Sequence, residues 1–213
     1  MTALVVVAKA PVPGRSKTRL CPPCTVEEAA RLAEAALADT LAAAAATAAR
    51  RKVLVLDGGP GPWLPPGFDV IPQRGRGLDE RLASAFEDAG PGLLIGMDTP
   101  QVTAALLERS IERLEEPGVD AVIGPAEDGG YWAIGLRVPD RGVFIGVPMS
   151  VAGTGAAQRR RLADLRLRTA DLPMLRDVDR IEDARAVASA IPGSRFAHAL
   201  SEVEADLLEM VAG

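Results

Sequence analysis

Leu93-Leu94-Ile95-Gly96-Met97-Asp98-Thr99-Pro100 decides how the rest of the chain is read. An apolar run delivers an aspartate to its carboxyl end. Successive apolar residues need cover on both faces, as in the middle of a parallel sheet. Thr99 predicts a helix N-cap, with Pro100 at the first helical position, where its missing N–H costs nothing. In open α/β sheets, ligands sit beyond the carboxyl ends of such strands. Asp98 is then expected near the positive end of a helix dipole, placed to hold a metal or sugar ligand. An aspartate that merely starts a turn is the plainer reading.

A second buried strand, Leu4-Val5-Val6-Val7-Ala8, runs into Lys9-Ala10-Pro11-Val12-Pro13-Gly14-Arg15-Ser16-Lys17-Thr18-Arg19. Two prolines stiffen this loop, and Lys9, Arg15, Lys17 and Arg19 give it four cations. Rigidity with clustered charge at a strand's carboxyl end suits a polyanion such as pyrophosphate. A solvated basic loop would explain the charge but not the prolines. The spacing is neither G-x-G-x-x-G nor G-x-x-x-x-G-K-[ST], so the dinucleotide and Walker signatures do not apply.

From there strands and helices alternate. A capping box at Thr25 and Glu28 opens an alanine-rich helix predicted from Val26 to Arg50. Lys52 to Asp57 is a strand, and 58–67 an irregular loop with Trp63 and four prolines. A short strand near Asp69-Val70-Ile71 leads to Gln73-Arg74-Gly75-Arg76-Gly77, a second place for a ligand to meet backbone and guanidinium groups. A helix follows over 78–88. Beyond the central strand, Ala104, Leu107, Ile111 and Leu114 mark the core face of a helix predicted from Gln101 to Glu115.

Asp120 to Gly124 is the next strand, and Pro125-Ala126-Glu127-Asp128-Gly129-Gly130-Tyr131-Trp132 leads into another at 133–136. Two carboxylates before paired glycines either admit a ligand or close a hairpin. After an irregular stretch from Gly142 to Gly155 come a helix over 156–165 and a short strand from Leu167. For Asp179, three residues before Glu182, helix capping competes with metal binding, while Asp177 has no capping role. The helix it opens carries Ile181, Ala184, Ala188 and Ile191 as its core stripe. The last helix, 194–211, spaces Phe196, Leu200, Val203, Leu207 and Met210 for core or interface packing, which leaves room for a homodimer; His198 lies off that stripe.

These elements predict one domain over 1–213: a three-layer α/β/α sandwich with a mostly parallel sheet. Hydrophobic residues make up 48% of the 213, which excludes a disordered chain. A formal charge of −5 gives no footprint for nucleic acid. Met1 to Ala8 is too short for a secretory segment, and no stretch reaches the roughly 18 apolar residues of a membrane span, so a soluble cytoplasmic protein is expected. Both cysteines lie in Cys21-Pro22-Pro23-Cys24. A redox CxxC usually opens a helix, whereas here the helix signal comes afterwards, and two cysteines cannot complete a zinc site.

Together these stretches resemble an uncharacterised bacterial family with the glycosyltransferase-A, or nucleotide-diphospho-sugar transferase, fold. Lys9 to Arg15 with Lys17-Thr18-Arg19-Leu20 is similar to its opening signature, Ile95 to Pro100 to its Gly-x-Asp-x-Pro segment, and Gly124 to Tyr131 to its Gly-Pro-x-x-Asp-Gly-Gly-Tyr segment. Asp177-Val178-Asp179 with Asp183 resembles its closing acidic segment. Relatives by fold include 2-phospho-lactate guanylyltransferase and the molybdenum-cofactor nucleotidyltransferases.

The resemblance implies a nucleotide or nucleotide-sugar over the first loop. Lys9, Arg15, Lys17 and Arg19 would lie near its phosphates, with Gln73 and Arg76 as further contacts. It implies Mg2+ or Mn2+ at Asp98, with Asp177 and Asp179 as further ligands. Asp128 is the candidate base, and Glu127, Gly129, Gly130 and Tyr131 would meet a small-molecule acceptor. The chain departs from the family at Arg76-Gly77-Leu78-Asp79-Glu80-Arg81 and at Pro148-Met149-Ser150. Three functions compete: glycosyl transfer from a nucleotide-sugar, nucleotidyl transfer from a nucleoside triphosphate with release of pyrophosphate, and a non-catalytic nucleotide-binding domain.

Overall fold

The computed structural model describes residues 2–212, with side chains through Leu207; Met210 of the last helix's expected stripe lies outside the described side chains. Among the described residues, thirteen strands and α-helices follow one another. They are β1 (Ala3–Lys9), α1 (Val26–Ala45), β2 (Lys52–Asp57), β3 (Asp69–Pro72), α2 (Leu78–Ala89), β4 (Gly92–Ile95), α3 (Ala104–Glu115), β5 (Ala121–Pro125), β6 (Tyr131–Leu136), α4 (Thr154–Asp164), β7 (Thr169–Asp171), α5 (Ile181–Ala190) and α6 (Arg195–Ala212). One seven-stranded sheet takes the order β3-β2-β1-β4-β6-β5-β7. All pairings are parallel except those of β6, which runs against both β4 and β5. Among the described residues, no helix is long and apolar enough to cross a membrane.

Period-two burial sorts the strands between two cores. Leu4, Val6, Leu93 and Ile95 face one side with Leu37 and Leu41 of α1 and Leu107 of α3. Ala3, Val5 and Leu94 face the other with Phe86 of α2 and Leu162 of α4. A third cluster joins Leu32 and Ala36 of α1 to Ile181 of α5 and to Phe196, Leu200 and Val203 of α6. α1 is thus buried against the sheet and against α6 at once. Its alanines are small enough to allow both approaches and favour the helix as well.

Among the boundaries that differ from the sequence reading, three have a visible cause. α1 stops at Ala45 rather than Arg50, because Thr47 turns back and gives its hydroxyl hydrogen to the Ala44 carbonyl (2.7 Å). The helix after β4 starts at Ala104, capped by Thr103, which accepts the Leu106 N–H at 3.1 Å. Thr99 is instead buried in a turn closed by the Val102 N–H on its carbonyl (3.1 Å), and Val102 enters the core. Asp98 therefore lies beyond the end of β4, and the helix that follows it begins only at Ala104. Finally, Arg180 rather than Asp179 precedes α5, its N–H held by Asp183 Oδ2 at 3.0 Å. Asp179 is free of capping and pairs with Arg19.

Candidate active site

The cleft grows out of the loop after β1. Ser16 is buried and ties the loop to itself: its hydroxyl donates to Ala10 O (3.1 Å) and accepts the Val12 N–H (3.3 Å). The Ala10 N–H reaches Asp57 O on β2 (2.8 Å), and the Lys9 N–H meets Met97 Sδ (3.3 Å) beyond β4. Prolines and these bonds hold the cationic loop across the carboxyl ends of three strands. Lys17 takes a left-handed backbone conformation, φ 51°. Its side chain turns inward, 8% exposed, donates to Val178 O and lies 2.5 Å from Asp98 Oδ1.

Two acidic segments meet under this loop. The Val178 N–H donates to Asp98 O at 2.9 Å, and Gln101 Nε2 donates to Arg176 O at 2.6 Å, so the stretch after β4 and the stretch before α5 lie side by side. The resulting cleft, about 270 Å3, is lined by Arg15 to Arg19 with Lys9, Met97, Asp98 and Asp179. Asp177 sits against it with one oxygen buried and unpartnered. Burial first, then the negative charges of Asp98 and Asp128, push its carboxyl up to about 7, and Lys17 offsets only part of that. Thr99 Oγ1 and Gln101 Oε1, on the adjoining segment, are buried without partners too.

This donor set fits a hard divalent cation. Asp98, Asp177 and Asp179 offer carboxylate oxygens, and Asp177 carries the crowded negative charge that a cation relieves. Among the described residues no three acidic, histidine or cysteine side chains converge on one point. A cation here would take one or two carboxylates and complete its shell with phosphate and water, as Mg2+ commonly does.

The Asp128 turn joins β5 to β6, so the hairpin reading of the paired glycines is the one the fold adopts. Asp128 Oδ1 accepts the Gly130 N–H at 2.8 Å. Gly129 has φ +88°, and a Cβ there would stand 2.0 Å from Ala152 O. The Gly155 N–H donates to Gly129 O (2.9 Å), which clamps the turn onto the start of α4. Asp128 is near enough for its charge to act on Asp177.

Other expected site residues have other partners. Glu127 binds Arg176 at 2.6 Å. The Tyr131 phenol points into the interior, its O–H donating to Gln158 Oε1 (3.3 Å), and burial raises its pKa. Gln73 Nε2 bridges Ala8 O (2.7 Å) and Val55 O (3.3 Å) across two strands. Arg76 is exposed, with its N–H on Glu80 (2.8 Å). Neither Gln73 nor Arg76 lines the cleft. Sequence reasoning passed over Ser16, Met97 and Thr18, which do. A serine four residues beyond Val12 is a recognisable turn signal, but nothing in the sequence marks Met97. Cys21 and Cys24 are free, and burial with the Glu28 charge pushes the Cys24 thiol up to about 11. Thiols so raised are poor nucleophiles at neutral pH.

Comparison with known proteins bears on the fold and the family. The chain shares 28% identity and a TM-score of 0.85, over 98% of each chain, with a candidate nucleotide-diphospho-sugar transferase from Desulfovibrio desulfuricans G20. Two further structures share the fold at lower identity. Rv0371c from Mycobacterium tuberculosis H37Rv, solved in complex with manganese, is 22% identical with a TM-score of 0.51, over 89% of this chain and 98% of that one. A CMP:2-keto-3-deoxy-manno-octonic acid synthetase complexed with CTP is 12% identical with a TM-score of 0.54, over 90% and 99%. No curated protein matches. The fold is that of the nucleotide-diphospho-sugar transferases. Residues 25–151, more than half of the chain, match the family described as an uncharacterized protein conserved in bacteria (DUF2064), and the chain belongs to it.

Proposed function

We propose that this chain is a nucleotide-utilising transferase, and that its donor is a nucleotide-sugar used with a divalent cation. One observation carries the reading: cations of the β1 loop and carboxylates from two separate segments line a single cleft at the carboxyl ends of β1 and β4. Lys9, Arg15, Lys17 and Arg19 suit a diphosphate, which guanidinium and ammonium groups bind by charge-assisted hydrogen bonds. Asp98 with Asp177 or Asp179 would hold Mg2+ or Mn2+, whose contribution is to neutralise charge on the departing diphosphate. The acceptor hydroxyl attacks the anomeric carbon, the bond from that carbon to the diphosphate oxygen breaks, and a carboxylate takes the hydroxyl proton. Asp128 is the candidate: Gly130 occupies only its Oδ1, and the clamped turn fixes its place.

The four cations also favour a second reading, nucleotidyl transfer, because a triphosphate carries more charge to neutralise. The released product separates the two: a nucleoside diphosphate for glycosyl transfer, pyrophosphate for nucleotidyl transfer. Thermal melts with nucleotide-sugars, nucleoside diphosphates and nucleoside triphosphates, each with and without Mn2+, test both. A ligand at a hundredfold excess over its dissociation constant stabilises by about 2.7 kcal/mol. We expect metal-dependent stabilisation by a nucleotide-sugar that Asp98→Ala removes. A stronger shift with a triphosphate would move the assignment to nucleotidyl transfer. No shift with any of them would overturn both and leave a non-catalytic domain.

A further inference from the structure

The loop that should receive phosphate already has partners. Lys17 lies on Asp98, Arg19 on Asp179, and Lys9 is 4.0 Å from Asp57. Of the four cations only Arg15 has no carboxylate partner among the described residues. Lys17 is the most committed: its ammonium is nearly buried and is shared between Asp98 and Val178 O. Those two contacts belong to the two segments that carry the proposed cation ligands. The ammonium thus occupies the carboxylate that a divalent cation would use.

We infer that Lys17 acts as an exchangeable placeholder: it neutralises Asp98 in the free protein and gives up that carboxylate when a phosphate takes its ammonium. This rests on the reading of Asp98 as a cation ligand. Partner exchange follows from charge. A divalent cation arriving alone must expel Lys17 from Asp98 and leave a buried ammonium short of a counter-charge. A diphosphate arriving alone draws Lys17 away and leaves Asp98 beside unpartnered Asp177. A metal–diphosphate complex leaves neither group unpaired, since cation meets carboxylate and phosphate meets ammonium. Each component then raises the affinity of the other, a reciprocal coupling between two sites. Lys17 is on this argument a positioning residue for the carboxylates as well as a phosphate contact.

Calorimetry with Mn2+ alone, with inorganic pyrophosphate in chelator, and with the preformed Mn2+–pyrophosphate complex tests it without any turnover. The wild type should bind the complex about tenfold or more tighter than either component alone. Lys17→Met should bind Mn2+ alone about tenfold tighter than the wild type, since the competitor for Asp98 is gone. Lys17→Arg, which keeps the charge, should bind Mn2+ alone as weakly as the wild type, and Lys17→Gln serves should the methionine variant fail to fold. Equal Mn2+ affinity in wild type and the uncharged variants overturns the placeholder while leaving the metal site in place. Failure of every form, with or without pyrophosphate, to bind Mn2+ overturns the metal reading and the placeholder with it.

Discussion

Asp177 is held closer to neutrality than an aspartate usually is, at about 7, chiefly by burial and then by Asp98 and Asp128. In the unfolded chain the same group titrates near 3.9. The folded state therefore keeps a proton that the unfolded state gives up. Its contribution to stability is fully present below about pH 3.9 and is lost as pH rises through about 7. Asp177→Asn should melt above the wild type at pH 8 in metal-free buffer, with the gap shrinking as the buffer is brought down toward pH 5. A gap that stays constant over that range would show that the ionised carboxyl is not what destabilises the site. Sequence could name Asp177 as an acid without a capping role. It could not show the buried oxygen, because that depends on Val178 pairing with the chain 80 residues earlier, at Asp98.

The tight turn between β5 and β6 works as one element with the start of α4. Gly129 is required by space as well as by dihedral angle, since a side chain there would run into Ala152 O. Gly129→Ala should cost about 2 kcal/mol or more and lower the melting temperature by about 4 °C or more. It should also displace Asp128, so activity would fall further than stability explains. The element pattern itself was legible because apolar runs alternate with 3.6-period stripes, and the capping box at Thr25 and Glu28 forms as expected. The misplaced starts of α3 and α5 follow from the burial of Thr99, which leaves the cap to Thr103, and from the pairing of Asp179 with Arg19. Neither effect is local, so local patterning could not rank the caps.

At the scale of the molecule, α1 joins the sheet to the C-terminal pair α5 and α6, and Phe196 is wholly buried in the cluster that does so. Phe196→Ala should cost about 3–5 kcal/mol. A melt that separates into two steps would show that α5 and α6 detach before the sheet unfolds, and a single cooperative transition would show that the three clusters fold as one unit. The layered sandwich was legible throughout; the reversal of β6 became visible only when the hairpin and open-turn readings of Asp128-Gly129 were settled by pairing.

That reversal shapes the electric field of the cleft. A parallel strand in place of β6 would have needed a crossover, normally a helix, whereas the reversed strand needs only a turn. Asp128 consequently sits on a tight turn and adds negative charge beside Asp177, while the cationic loop lines the cleft. A ligand with phosphate at one end and hydroxyl donors at the other enters such a field already oriented, before any contact closes on it. A symmetric polyanion of the same charge gains attraction without that alignment.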